Sequence, residues 1–106
     1  MTHPFDLTRE RILVTGASSG LGLHFARTLA RAGATLAISA RRAEKLDDLR
    51  REIEGIGGRA HPVTMDVTSG DSIRAGVAQA EAATGGITVL VNNAGIAIVK
   101  PLLDYT

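Results

Sequence analysis

Short, solid apolar runs alternate with amphipathic helical stripes along this chain, and that alternation leaves few folds open. Ile12-Leu13-Val14 is apolar at every position, as in a strand buried on both faces. From Gly20 to Ala32, Leu21, Phe25 and Leu29 recur at four-residue steps and mark one face of a helix, with Gly33 as its stop signal. Leu36-Ala37-Ile38 reads as a second strand. Leu46, Leu49, Ile53 and Ile56 then form the apolar stripe of a second helix, beginning near Ala43 and ending in the cluster Gly55 to Gly58. Arg59 to Met65 is a third strand; Pro62 within it cannot donate to a ladder, so this strand belongs at a sheet edge. Asp71 to Ala83 follows as a helix with Ile73, Val77 and Ala80 on one face and Thr68 or Ser69 as its cap. Ile87 to Val91 is the fourth strand. The order β-α-β-α-β-α-β, with strands too apolar to face water, predicts an α/β fold. Its sheet is parallel, with helices on both faces and right-handed crossovers. With 106 residues there is room for one domain, residues 1–106, and no repeat or linker divides it.

The first strand runs directly into Thr15-Gly16-Ala17-Ser18-Ser19-Gly20-Leu21-Gly22 and then into the first helix. Glycines at that junction have distinct mechanical uses. Gly16 permits the tight turn off the strand, Gly20 lets backbone approach a pyrophosphate, and Gly22 lets the helix pack close to the sheet. The unpaired N–H groups and positive dipole end of the helix would meet the phosphates, and Ser18 and Ser19 add hydroxyl donors. A glycine triplet alone is a weak signal, but its place between strand and helix in the first β-α unit is the confirming context. No Lys-Ser or Lys-Thr follows the glycines, so the turn is not a P-loop.

The spacing Thr-Gly-x-x-x-Gly-x-Gly, Asp66-Val67 after the third strand and Asn92-Asn93-Ala94-Gly95 after the fourth together resemble the short-chain dehydrogenase/reductase family. The resemblance covers essentially the whole chain. It implies a Rossmann-type doubly wound sheet of strand order 3-2-1-4, and an NAD(P)(H)-dependent oxidoreductase acting on a carbonyl or secondary alcohol. It also implies roles: Gly16, Ser18, Ser19, Gly20, Leu21 and Gly22 for the pyrophosphate, Asp66 for the adenine amino group and Val67 beside the ring. Asn93, Ala94 and Gly95 would line the adenosine ribose, with Asn92 tying strand ends together.

The end of the second strand bears on which cofactor is bound. NAD-preferring domains of this type hold the ribose 2′-hydroxyl with an acid about twenty residues beyond the glycines. Here the strand ends Ser39-Ala40-Arg41-Arg42, with no acid. A carboxylate would repel a 2′-phosphate, whereas Arg grips one bidentately. Arg41 stands where the family's NADP-preferring members put their phosphate-binding residue, with Arg42 or Ser39 to assist. The expected cofactor is therefore NADP, with NAD the less favoured. The competing reading is a solvated pair of arginines opening a helix.

The family's catalytic residues are a Ser and a Tyr-x-x-x-Lys pair. The one tyrosine, Tyr105, is followed only by Thr106 and cannot begin that pair, so no residue of this chain is assigned a catalytic role. The expectation is a chain carrying the cofactor-binding half of a longer enzyme, with a non-catalytic dinucleotide-binding fragment as the alternative. Were the chain to end at Thr106, Val89 to Val91 would form a bare apolar edge that invites self-association.

Composition closes other routes. Twelve basic residues against eleven acidic ones leave a net charge of +1, too even for a nucleic-acid or membrane surface. The absence of cysteine excludes disulfides and thiolate metal sites, and His3, His24 and His61 lack metal-ligand spacing. Met1 to Glu10 has no apolar run that would serve as leader or anchor, so the expected place is the cytoplasm. The expected partners are a small-molecule substrate and further copies of the chain in a homo-oligomer.

Overall fold

The computed structural model describes residues 6–18 and 20–93. Four strands and three α-helices alternate: β1 (Arg11–Val14), α1 (Gly20–Arg31), β2 (Thr35–Ala40), α2 (Asp47–Gly55), β3 (Arg59–Thr64), α3 (Gly70–Thr84) and β4 (Val89–Val91). A 3-10 turn, Ala43–Leu46, leads into α2. The strands form one parallel sheet of order β3-β2-β1-β4, the doubly wound arrangement expected. β3, the strand with Pro62, lies at the edge. Among the described residues β4 lies at the other, paired to β1 through Ile12↔Val89, Leu13↔Leu90 and Val14↔Val91.

The period-two geometry of a strand divides the core into two layers. Ile12, Val14, Leu36, Ile38 and Val91 point to one face, where Ala26 and Ala30 of α1 and Leu49 and Ile53 of α2 cover them. Leu13 and Ala37 point to the other, where Val63, Met65 and Ala80 of α3 close the layer. Both faces of β1 and β2 are thereby dry, which is why those strands are apolar throughout.

Three expected helix faces are corrected; on α3 the buried residues are Gly76 and Ala80, with Val77 half-buried and Ile73 36% exposed. The buried residues of α1 are Gly22, Ala26 and Ala30, not Leu21, Phe25 and Leu29. Small side chains let this helix lie close against the sheet, while Phe25 and Leu29 flank the contact half-buried and Leu21 is 52% exposed. On the second helix Leu46, Leu49 and Ile53 are buried as expected, but Ile56 follows the last helical residue and is 57% exposed. α3 is capped by Ser69, whose hydroxyl accepts from the Ser72 N–H at 3.3 Å.

Candidate functional site

Because all four strands are parallel and closely in register, the segments after Val14, Ala40, Thr64 and Val91 emerge at the same edge of the sheet. The chain steps outward from β1 to β3 and then returns to β4 on the other side of β1. The crevice of such a sheet opens beside that reversal. The glycine turn, Arg41-Arg42, Asp66-Val67 and Asn92-Asn93 all lie along this edge. Ser19, Ala94, Gly95 and Tyr105 lie outside the described residues.

The glycine turn is folded by constraints that only glycine meets. Gly16 and Gly20 have φ of +62° and +58°, in the left-handed region, where no described non-glycine residue is found. Gly22 has another constraint: a Cβ there would stand 2.1 Å from Gly16 O. At Gly20 a Cβ would meet no described atom within 4 Å, so its bareness leaves open space at the mouth of α1. The helix dipole there is also uncompensated within the helix. Asp47 and Asp48 open α2 and Asp71 opens α3, whereas α1 has no acid in its first turn.

Thr15 fastens the turn to β4. Its N–H donates to Val91 O at 3.0 Å, its hydroxyl donates to Asn92 Oδ1 at 3.1 Å, and the same oxygen accepts from the Asn93 N–H at 3.0 Å. Asn93 Nδ2 reaches Gly16 O at 3.4 Å. Across the turn, the Ala17 N–H donates to Ser39 O at 2.9 Å. Asn92 thus ties strand ends together as expected, but Thr15 is the hub of the latch, a role that sequence reading missed. Its signal is a small hydroxyl residue directly after an apolar strand, where the backbone groups of two strands end together.

A cleft of about 690 Å³ opens beside the turn, within the roughly 300–1,000 Å³ of small-molecule and cofactor sites. Gly16 and Ser18 line one side, Arg41, Arg42 and Lys45 a second, and Met65 and Val67 a third. No carboxylate is among the lining residues. Four of the cations elsewhere are paired with acids. Arg27 grips Glu52 at 2.7 and 3.0 Å, Arg50 bonds Asp47 and Glu54 at 2.8 Å each, Arg51 reaches Asp47 at 3.0 Å and Arg74 bonds Asp71. Among the described residues, Arg41, Arg42 and Lys45 form no salt bridge. Ser39 does not join them. It is 1% exposed, its hydroxyl faces Val14 O at 3.5 Å, and β2 runs two residues beyond Ile38, which makes it an interior strand residue.

Asp66 is half-buried, and its Oδ1 accepts from both the Thr68 hydroxyl at 2.6 Å and the Thr68 N–H at 2.9 Å. Those two donors, the hydroxyl first, together with the nearby charge of Arg41, hold its carboxyl below the usual carboxylate range. Its own N–H donates to Ser72 Oγ at 2.8 Å, which anchors the segment to α3. Oδ1 thus caps the local turn, and among the described residues no hydrogen bond reaches Oδ2. Val67 beside it is 44% exposed and lines the cleft as an apolar surface.

The sequence profile of the short chain dehydrogenase family matches residues 10–106. The chain belongs to this family. A gluconate 5-dehydrogenase of Gluconobacter oxydans is 44% identical over 108 residues, which take in 100% of this chain and 42% of that protein. A fatty acyl-CoA reductase of Mycobacterium tuberculosis is 41% identical, covering 96% of this chain and 35% of that one. A short-chain type dehydrogenase/reductase from Mycobacterium marinum superposes with a TM-score of 0.82 at 43% identity, over 96% of this chain and 41% of that one. A metagenomic short-chain oxidoreductase, solved in complex with NADP, superposes with a TM-score of 0.78 at 42% identity, over 86% and 41%. This short-chain dehydrogenase chain therefore spans about two fifths of the length of such relatives. Among its described residues no helix is long and apolar enough to cross a membrane.

Proposed function

We propose that this chain is the cofactor-binding part of an NADP(H)-dependent oxidoreductase, which moves hydride between the nicotinamide and a carbonyl or secondary alcohol. The observation that carries the cofactor choice is the pair Arg41 and Arg42 just after β2, without a salt bridge among the described residues and in the same cleft as the glycine turn. An Asp or Glu in that place would favour the 2′-hydroxyl of NAD; two guanidinium groups without a salt bridge there favour a dianionic 2′-phosphate. The NADP complex of the metagenomic relative supports the same reading. The bound cofactor supplies the hydride acceptor or donor, and the residues of this chain hold it in place.

In this reading Gly16, Ser18, Ser19, Gly20, Leu21 and Gly22 take the pyrophosphate, at a helix mouth without an opening acid. Asp66 accepts from the adenine amino group through Oδ2 while Oδ1 holds the turn, and Val67 covers the ring. Asn93, Ala94 and Gly95 line the adenosine ribose, with Asn93 fixed to the turn by Thr15 and Gly16. Arg41 grips the 2′-phosphate and Arg42 assists. The substrate is a small molecule, and the cytoplasmic, homo-oligomeric enzyme belongs to the same proposal.

The test is the Arg41→Ala variant of the full-length protein. The ratio of NADP to NAD affinity, measured by calorimetry, is expected to fall by about tenfold or more, the value of a charge-assisted bidentate contact. An unchanged ratio overturns the assignment.

A further inference from the structure

We propose that Lys45 is a third cation of the 2′-phosphate site and contributes to the choice of NADP over NAD; this rests on the function proposed above. Nothing in the glycine, Asp or Asn motifs points to Lys45. The structure brings it in through the 3-10 turn Ala43–Leu46, which doubles the chain back directly after the two arginines. The Lys45 N–H donates to Arg42 O at 3.2 Å, closing this turn. Leu46 is 0% exposed, packed in the core layer with Leu49 and Ile53, and its burial sets the rotation of the turn.

With about three residues per 3-10 turn, consecutive side chains point roughly 120° apart, so seating Leu46 in the core fixes where its neighbours go. Lys45 lines the cleft beside Arg41 and Arg42, and Glu44, the acid of the same turn, is not among the lining residues. The acid that follows, Asp47, is taken by Arg50 and Arg51 at 2.8 and 3.0 Å. The local arrangement therefore places Lys45 with the two arginines in the cleft and ties the adjacent acid, Asp47, to Arg50 and Arg51. A compact ammonium on a flexible four-carbon stem suits a supporting role beside the rigid guanidinium forks, since it reaches a phosphate oxygen as a point charge.

The experiment uses the full-length protein and two probes that differ only at the 2′ position, 2′,5′-ADP and 5′-AMP, titrated into the wild type, Lys45→Gln, Lys45→Arg and Arg41→Ala. Lys45 is exposed, so its replacement leaves the core untouched. Lys45→Gln is expected to weaken 2′,5′-ADP by about three- to tenfold and 5′-AMP by less than about twofold, with Lys45→Arg restoring the affinity. A fall in the ratio for Arg41→Ala with none for Lys45→Gln overturns the role of Lys45 and leaves the NADP reading standing. Equal weakening of both probes by Lys45→Gln also overturns it, because the lysine would then be a general attraction for nucleotides. A ratio unmoved by either variant removes the 2′-phosphate site and Lys45 with it.

Discussion

Gly22 carries the tightest steric constraint in the site, and adding one methyl group there tests how the turn is built. A Cβ on Gly22 would lie 2.1 Å from Gly16 O, 2.8 Å from Gly16 C and 3.1 Å from Asn93 Nδ2. Relief requires the backbone to open by about 1 Å, because the obstacle is a carbonyl rather than the tip of a flexible side chain. That carbonyl belongs to a residue at φ +62°, and the next residue is held to β2 by the bond from the Ala17 N–H to Ser39 O. Overpacking of this kind costs about 1–3 kcal/mol. Loss of the Asn93 bond to Gly16 O adds about 1 kcal/mol. Alanine returns up to about 1 kcal/mol in helix propensity. Gly22→Ala should therefore destabilise by about 2 kcal/mol in urea unfolding followed by far-UV circular dichroism, and nucleotide affinity should fall with it. The control is Gly20→Ala, where the added methyl meets no described atom within 4 Å. It should cost only the left-handed strain of about 1–2 kcal/mol while still weakening NADP binding, since its methyl occupies the space at the helix mouth. A Gly22→Ala protein within about 0.5 kcal/mol of the wild type would refute the close-approach argument.

Two further outcomes follow from the hydrogen bonding. Thr15→Val removes the hydroxyl that joins Asn92 and Asn93 to the turn. Unfolding should show a loss of about 1–3 kcal/mol together with weaker nucleotide binding; wild-type stability would mean that the latch is held by backbone bonds alone. Asp66→Asn preserves the shape of the cap but removes its charge. The folded carboxyl titrates below its ordinary value of about 3.9, so its ionised form stabilises the fold above that pH, and the contribution is lost as pH falls through the folded value. The stability gap between wild type and Asp66→Asn should accordingly close in acid below about pH 4, and a gap of constant size from pH 7 to pH 3 would contradict the charge-based account.

Much of the fold was legible in the sequence because strands buried on both faces announce themselves as solid apolar runs, and Pro62 marks its strand as an edge. The helix that shapes the site was harder to read. Hydropathy favoured Leu21, Phe25 and Leu29, but a helix that must approach the sheet closely at the glycine turn buries small residues instead, Gly22, Ala26 and Ala30. Ser39 was misassigned for a related reason. A strand ending at Ile38 would free its hydroxyl for the cleft, whereas β2 continues to Ala40 and the hydroxyl turns inward. The segments around the crevice were readable because each follows a strand end and carries residue types with few other uses there. Thr15 and Lys45 were not, since a threonine after a strand and a lysine at a helix start are ordinary residues. Only the paired backbone ends around Thr15, and the buried Leu46 beside Lys45, give them their places.

The central claim is tested most directly by titrating NADPH and NADH into the full-length protein under the same buffer and salt. Two arginines and a lysine that form no salt bridge among the described residues, just after β2, predict NADPH binding tighter by about tenfold or more. Equal affinities, or a preference for NADH, would contradict it.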